Sequence, residues 1–105
     1  MNNAFQTPTE KRQALEAILL QHPGNTCTEQ CQRLRVALSQ FSVTTFELMR
    51  HLDLYDPRAR VMQLRMAGDR IDTVWDVIVS EAGTKHRVGR YVLRPQAAEV
   101  SYGTH

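Results

Sequence analysis

Two clusters of side chains in this 105-residue chain could do chemistry, and both are basic. The first is Pro57-Arg58-Ala59-Arg60-Val61-Met62-Gln63, with Arg65 close behind. The second is Lys85-His86-Arg87, with Arg90 and Arg94 further along. Eleven of the thirteen basic residues are Arg, whose planar donor fork matches phosphate oxygens or a guanine edge. An Arg-rich codon bias would give the same excess without any function. Placement supplies the further argument. Residues 1–55 carry five basic and five acidic side chains and residues 56–105 carry eight and six, so the net charge of +2 lies wholly in the half that holds both clusters.

Other constellations do not assemble. Cys27 and Cys31 are four apart and share a helix face, but a structural zinc needs four ligands and there is no second paired motif. Cys31 is expected in the core and Cys27 at the surface. His22 and His51 each end a helix, where an imidazole can satisfy carbonyls. Asp53 and Asp56 flank a turn, while Asp69, Asp72 and Asp76 are spread over a turn and a strand, and Asp56 is needed as a cap. Ser39, Ser42 and Ser80 have no His/Asp arrangement, and no glycine-rich phosphate loop is present. The expectation is a binding protein: no catalytic residues, no metal, no cofactor, no small-molecule substrate.

The elements that must position the basic clusters read as follows. Thr7-Pro8 with Glu10 starts a first helix, with Leu15, Ile18, Leu19 and His22 on one stripe, stopped by Pro23-Gly24-Asn25. Thr26 or Thr28 opens a second, with Cys31, Leu34 and Leu38 inward, and Phe41 and Val43 then pack under the domain. Thr44 or Thr45 caps a short third helix through Leu52, with apolar contacts from Phe46, Leu48, Met49 and Leu52. After the turn Asp53-Leu54-Tyr55, Asp56-Pro57 supplies an N-cap and an N1 proline for a fourth helix, which runs to Ala67 with Gly68 at C′. The period then becomes two. Ile71, Thr73, Trp75, Val77 and Val79 share one strand face, Glu81-Ala82-Gly83-Thr84 turns the chain, and His86 to Leu93 returns. Trp75 is expected to close the core, and Met49, Met62 and Met66 to pack in or near it.

Two short helices, a tight turn and a two-stranded ribbon, in that order, are the wiring of a winged helix-turn-helix. The fold class expected is α+β and mainly helical: a three-helix core with a two-stranded β-wing and an extra N-terminal helix. Residues 1–25 form an extension, 26–95 the winged domain and 96–105 a flexible tail. From about Glu29 to Leu93 the chain also resembles a family of small winged helix-turn-helix domains of bacteriophages and prophages. The resemblance rests on QRLRVALSQF, VTTFEL, RARVMQLRMAG, DRIDTVW and KHRVGRYVL. It implies duplex DNA binding in gene regulation or phage DNA transactions, and an ion pair between Glu47 and Arg60.

In such a domain the second helix of the pair enters the major groove. Val61 and Leu64 then face the core, and Arg58, Ala59, Met62 and Gln63 point outward, either to bases or simply to solvent. Arg65 touches a phosphate or favours the helix dipole. Thr44 and Thr45 cap a helix and offer hydroxyls to a phosphate. Lys85, His86 and Arg87 at the ribbon tip, with Arg90 behind, either follow the minor groove or form a solvated hairpin end. The DNA-binding set is thus Thr44, Thr45, Arg58, Met62, Gln63, Arg65, Lys85, His86, Arg87 and Arg90. The first helix packs on its own domain or on a twin in a homodimer. With no membrane-length apolar run and no signal-peptide layout, a bacterial cytoplasm is expected. The rival reading is a winged helix that binds protein, an adaptor or inhibitor of a host complex. Five acidic residues from Asp56 to Glu81 favour it.

Overall fold

Helix starts in this chain are chemical signals, and most act where the sequence puts them. The computed structural model describes residues 7–95. In it, α1 spans Thr9–Gln21, α2 Cys27–Gln40, β1 Val43–Thr44, α3 Thr45–His51, α4 Pro57–Met66, β2 Ile71–Val79 and β3 Lys85–Leu93. The expected tail and the first six residues lie outside the described residues. Thr26 accepts the Glu29 N–H at the start of α2. Thr44 and Glu47 form a reciprocal capping box at α3, each side chain taking the other's backbone N–H at 3.1 Å. Asp56 accepts from the Ala59 N–H, with Pro57 at N1 of α4. That helix closes in a Schellman motif: the Asp69 N–H reaches the Leu64 carbonyl, and Gly68 takes φ 108°, a value costly for any residue with a Cβ.

The expected two-stranded wing is part of a three-stranded antiparallel sheet in the order β1-β3-β2. The extra strand is only Val43–Thr44, paired with Tyr91 and Arg90, too short to show as alternation in the sequence. It leaves β2 on a free edge. Thirteen buried apolar residues from every helix and all but the distal sheet make one core, including Leu15, Leu34, Leu48, Leu54, Val61 and Tyr91.

The N-terminal helix belongs to this core. Leu15 and Ile18 are buried in it, each contributing roughly 1.5–3 kcal/mol by area removed from water. Thr7 does not cap α1; Pro8 holds the N-cap position. The Thr7 hydroxyl instead donates to Glu47 Oε2 at 3.0 Å, and Lys11 Nζ donates to Glu47 Oε1 at 2.8 Å and to the Ser42 carbonyl at 2.7 Å. These contacts displace the expected Glu47–Arg60 pair, because α1 delivers a cation and a hydroxyl to Glu47 before α4 can. His51 likewise turns its ring towards Glu16, at 3.9 Å, rather than to helix-end carbonyls.

A buried charge ties the helices together. Arg33 on α2 is 1% exposed, yet its partners are carbonyls rather than carboxylates. Nη1 donates to His22 and Gly24 at 2.6 Å each, Nε to Leu52 at 3.0 Å, and Nη2 reaches Asp53 at 3.5 Å. These oxygens sit just past the C-terminal ends of α1 and α3, where helix dipoles leave partial negative charge. Asp53 itself takes φ 53° to make the turn.

Two expected outcomes follow from these ties. Arg33→Met keeps the aliphatic stem and removes the donors. It should lose about 2–4 kcal/mol in urea unfolding, since it strands carbonyls that the cation had satisfied. Burial pushes the Glu47 carboxyl up, but the bonds from Lys11, the Thr44 N–H and Thr7 outweigh it and hold the group below its ordinary 4.5. The stability it adds is therefore whole above pH 4.5 and is lost as pH falls through its lower folded value. Unfolding curves of wild type and Glu47→Gln between pH 7 and pH 3 should converge at the acid end.

Candidate nucleic-acid interface

The helix pair α3–α4 and the wing enclose a groove of about 470 Å³, lined by Thr45, Arg58, Met62, Arg65, Trp75 and Arg87 among others. Local sequence puts each there. The Asp56-Pro57 start aims the first turn of α4 outward, so Arg58 and Met62 are exposed one turn apart while Val61 and Leu64 anchor the other side. On β3, Lys85, Arg87 and Gly89 share the face that carries Tyr91 down into the core, by strand alternation and by register against Val79, Val77 and Trp75. Trp75 lies opposite Gly89, where a Cβ would come within 3.7 Å of the indole and 3.3 Å of Thr73. Glycine at that position lets the ring settle across β3. The Arg87 guanidinium stacks over the same ring, 4.5 Å from its centroid.

Trp75 is 58% exposed and does not close the core. The face assignment from alternation holds, with Ile71 buried on it, but nine strand residues reach roughly 30 Å and the helices cover only the near end. Val77 and Val79 project beyond the core in the same way. Phe46, Met49 and Met66 are also exposed, against the packing expected of them, and Met62 is exposed as its outward place on α4 requires. Trp75 is thus the groove residue that sequence reasoning missed. Strand length against core size was the signal that could have found it.

The expected DNA-binding residues divide. Thr45, Arg58, Met62, Arg65 and Arg87 are brought together in the groove. Lys85 shares the strand face of Arg87 nearer the hairpin tip, while His86 faces the other side of β3. Thr44 is buried with its hydroxyl turned to the Glu47 N–H. Gln63 accepts from the Cys31 thiol at 3.4 Å and lies towards α2. Arg65 is used structurally: its fork donates to the Ile71 carbonyl at 2.9 and 2.7 Å and to the Thr73 hydroxyl at 3.0 Å, fastening the wing to α4. Arg90 is on the outer wing face, paired with Asp76 at 3.1 Å.

Charges sort by the same geometry. Asp69 is bound by Arg35, Asp72 by Arg94 and Asp76 by Arg90, at 2.8, 2.8 and 3.1 Å. Asp56 is occupied as a cap. Among the described residues, Arg58 and Lys85 have no carboxylate partner, and Arg87 has only the indole beneath it. Asp69, Asp72 and Asp76 therefore neutralise cations outside the groove, and among the described residues Arg58, Lys85 and Arg87 keep no carboxylate partner.

Comparison with known proteins adds one finding. A family model described as a winged helix-turn-helix domain matches residues 29–96. No curated protein and no solved structure matches the chain.

The chain contains a single Trp, so its fluorescence reports this groove alone. Acrylamide should quench the folded protein nearly as efficiently as the urea-unfolded one. A blue-shifted emission protected from acrylamide would contradict the placement of Trp75.

Proposed function

The chain belongs to the winged helix-turn-helix domain family, and on that premise we propose that it binds double-stranded DNA through the α4–wing groove, with sequence preference or partial sequence preference. The observation that carries the reading is the partition of charge: Arg58, Arg87 and Lys85 line one face without carboxylate partners, while Asp69, Asp72 and Asp76 are held in ion pairs elsewhere. Helix α4 enters the major groove from its N-terminal end, where Arg58 meets a guanine edge or a phosphate and Met62 packs on a base edge. The wing lies along the neighbouring backbone, with Lys85 and Arg87 on phosphates. Arg65 holds the angle between the two reading elements, and Arg90, Thr44 and Gln63 support the scaffold.

The action is occupancy rather than catalysis, as a phage or prophage transcriptional regulator or an accessory protein in a DNA transaction, in the cytoplasm of a bacterial host. No helix among the described residues is long and apolar enough to cross a membrane. The apolar stripe of α1 is used within the chain, which favours action as a monomer or through a dimer built elsewhere than on that stripe.

A second reading has its own observation. Trp75, Val77 and Val79 expose an apolar strip on the wing, 58%, 59% and 41% accessible, which would suit a protein partner.

Fluorescence anisotropy with a random 30-mer duplex at several salt concentrations separates the two. Duplex binding should weaken steeply with salt, and Arg87→Gln should reduce the log–log slope by about 1. Arg58→Glu with Arg87→Glu should abolish binding while the circular dichroism spectrum stays unchanged, and Arg90→Gln should bind as wild type. Absence of duplex binding at low salt would move the assignment to the protein-partner reading.

A further inference from the structure

We infer that Cys27 and Cys31 form a two-sulfur clamp for a soft monovalent cation of the Cu(I) class, set between α2 and α4. The two residues are one turn apart on α2, which brings their Cβ atoms to roughly 5–6 Å. Both line a recess of about 320 Å³ between the helices, together with Arg35 and Gln63. Cys27 is exposed at the first position of α2, and Cys31 is half-buried beneath it. Each sulfur already contacts α4: Arg60 Nη1 donates to Cys27 Sγ at 3.0 Å, and Cys31 Sγ donates to Gln63 Oε1 at 3.4 Å.

The donor set selects the ligand. Among the described residues no group of three or more His, Cys, Asp or Glu side chains could hold a metal, so tetrahedral zinc has no site here. Two thiolates alone suit a soft d¹⁰ monovalent ion in twofold coordination. Loading follows a balanced exchange: two thiols and one M⁺ give one anionic S–M–S⁻ unit and two released protons. Its single negative charge falls beside the Arg60 guanidinium, whose Nε is buried and otherwise without a hydrogen-bond partner. The sequence expectation of no metal measured the CxxxC spacing against a four-ligand zinc site; a twofold clamp asks for two sulfurs only.

Loading also reaches α4. The proton that Cys31 donates to Gln63 is one of the two released, so the amide of Gln63 loses that contact. The site stands independently of the DNA reading; any effect of loading on duplex affinity rests on it.

The test is anaerobic titration of the reduced full-length protein with Cu(I) against a chromogenic Cu(I) chelator. Wild type should withdraw one equivalent per chain. Cys27→Ser and Cys31→Ser should each weaken affinity by about a hundredfold or more, since each removes half the ligand set. Cys27 is exposed, so its variant leaves the core intact and is decisive. Failure to compete with the chelator, or unchanged affinity in Cys27→Ser, would overturn the site. The Gln63 side-chain amide resonance should shift on loading in wild type but not in Cys27→Ser, and an unmoved resonance would overturn the link to α4. Duplex titration of the copper-free protein is read separately, so failure of the DNA reading is distinguishable from failure of this one.

Discussion

The geometry of the helix-turn-helix depends on one buried cation. Removing a guanidinium from water is expensive, and the usual remedy is a carboxylate. Arg33 has none; four backbone oxygens from two helix ends take that place. The arrangement satisfies two problems at once, since those carbonyls have no partner within their own helices. Two of the four acceptors, Leu52 and Asp53, belong to the turn between α3 and α4. The angle at which α4 meets a partner is thus set from behind, by a side chain on α2 that never approaches the groove.

The other two acceptors, His22 and Gly24, lie before the first residue of the family match. So do Thr7 and Lys11, which occupy the Glu47 carboxylate. The N-terminal helix is therefore a structural part of the winged domain. The family match starts at residue 29, and α1, within the expected 1–25 extension, packs into the same core. The same contacts turn the buried Leu15 and Ile18 and the Lys11 cation of α1 towards α2 and α3, and leave Leu20 exposed on its other side.

Most of the architecture was legible because it is written in local chemistry. Asp56-Pro57, the threonine cap of α3, Gly68 and the 81–84 turn act through neighbours within a few residues, and each falls where the sequence indicates, with Thr44 rather than Thr45 taking the cap. The misreadings share a different cause. Alternation says which residues of β2 share a face but not where along the strand the core stops, so Ile71 is buried and Trp75 is not. Nothing near Glu47 in sequence says that Lys11, 36 residues away, outcompetes Arg60. An Arg in the apolar stripe of α2 looks like a surface residue until two helix ends are placed around it. Arg90 and Arg87 are three apart and alike in type, yet strand pleating sends one to Asp76 and the other to the indole.

The free edge of the sheet carries a risk of its own. Strand β2 has Val74, Trp75, Val77 and Val79 exposed along an unpaired margin, a composition that invites edge-to-edge association and cross-β stacking between molecules. Asp72 precedes the run and Asp76 interrupts it. Asp76 also folds back to accept the Val77 N–H at 2.9 Å, and Arg65 occupies the Ile71 carbonyl, so two of the backbone groups that could template a foreign strand are already engaged. Asp72 and Asp76 thus act as gatekeepers of colloidal stability as well as ion-pair partners. The wing can keep its long apolar reach in a crowded cell because its edge has been made a poor template for copies of itself.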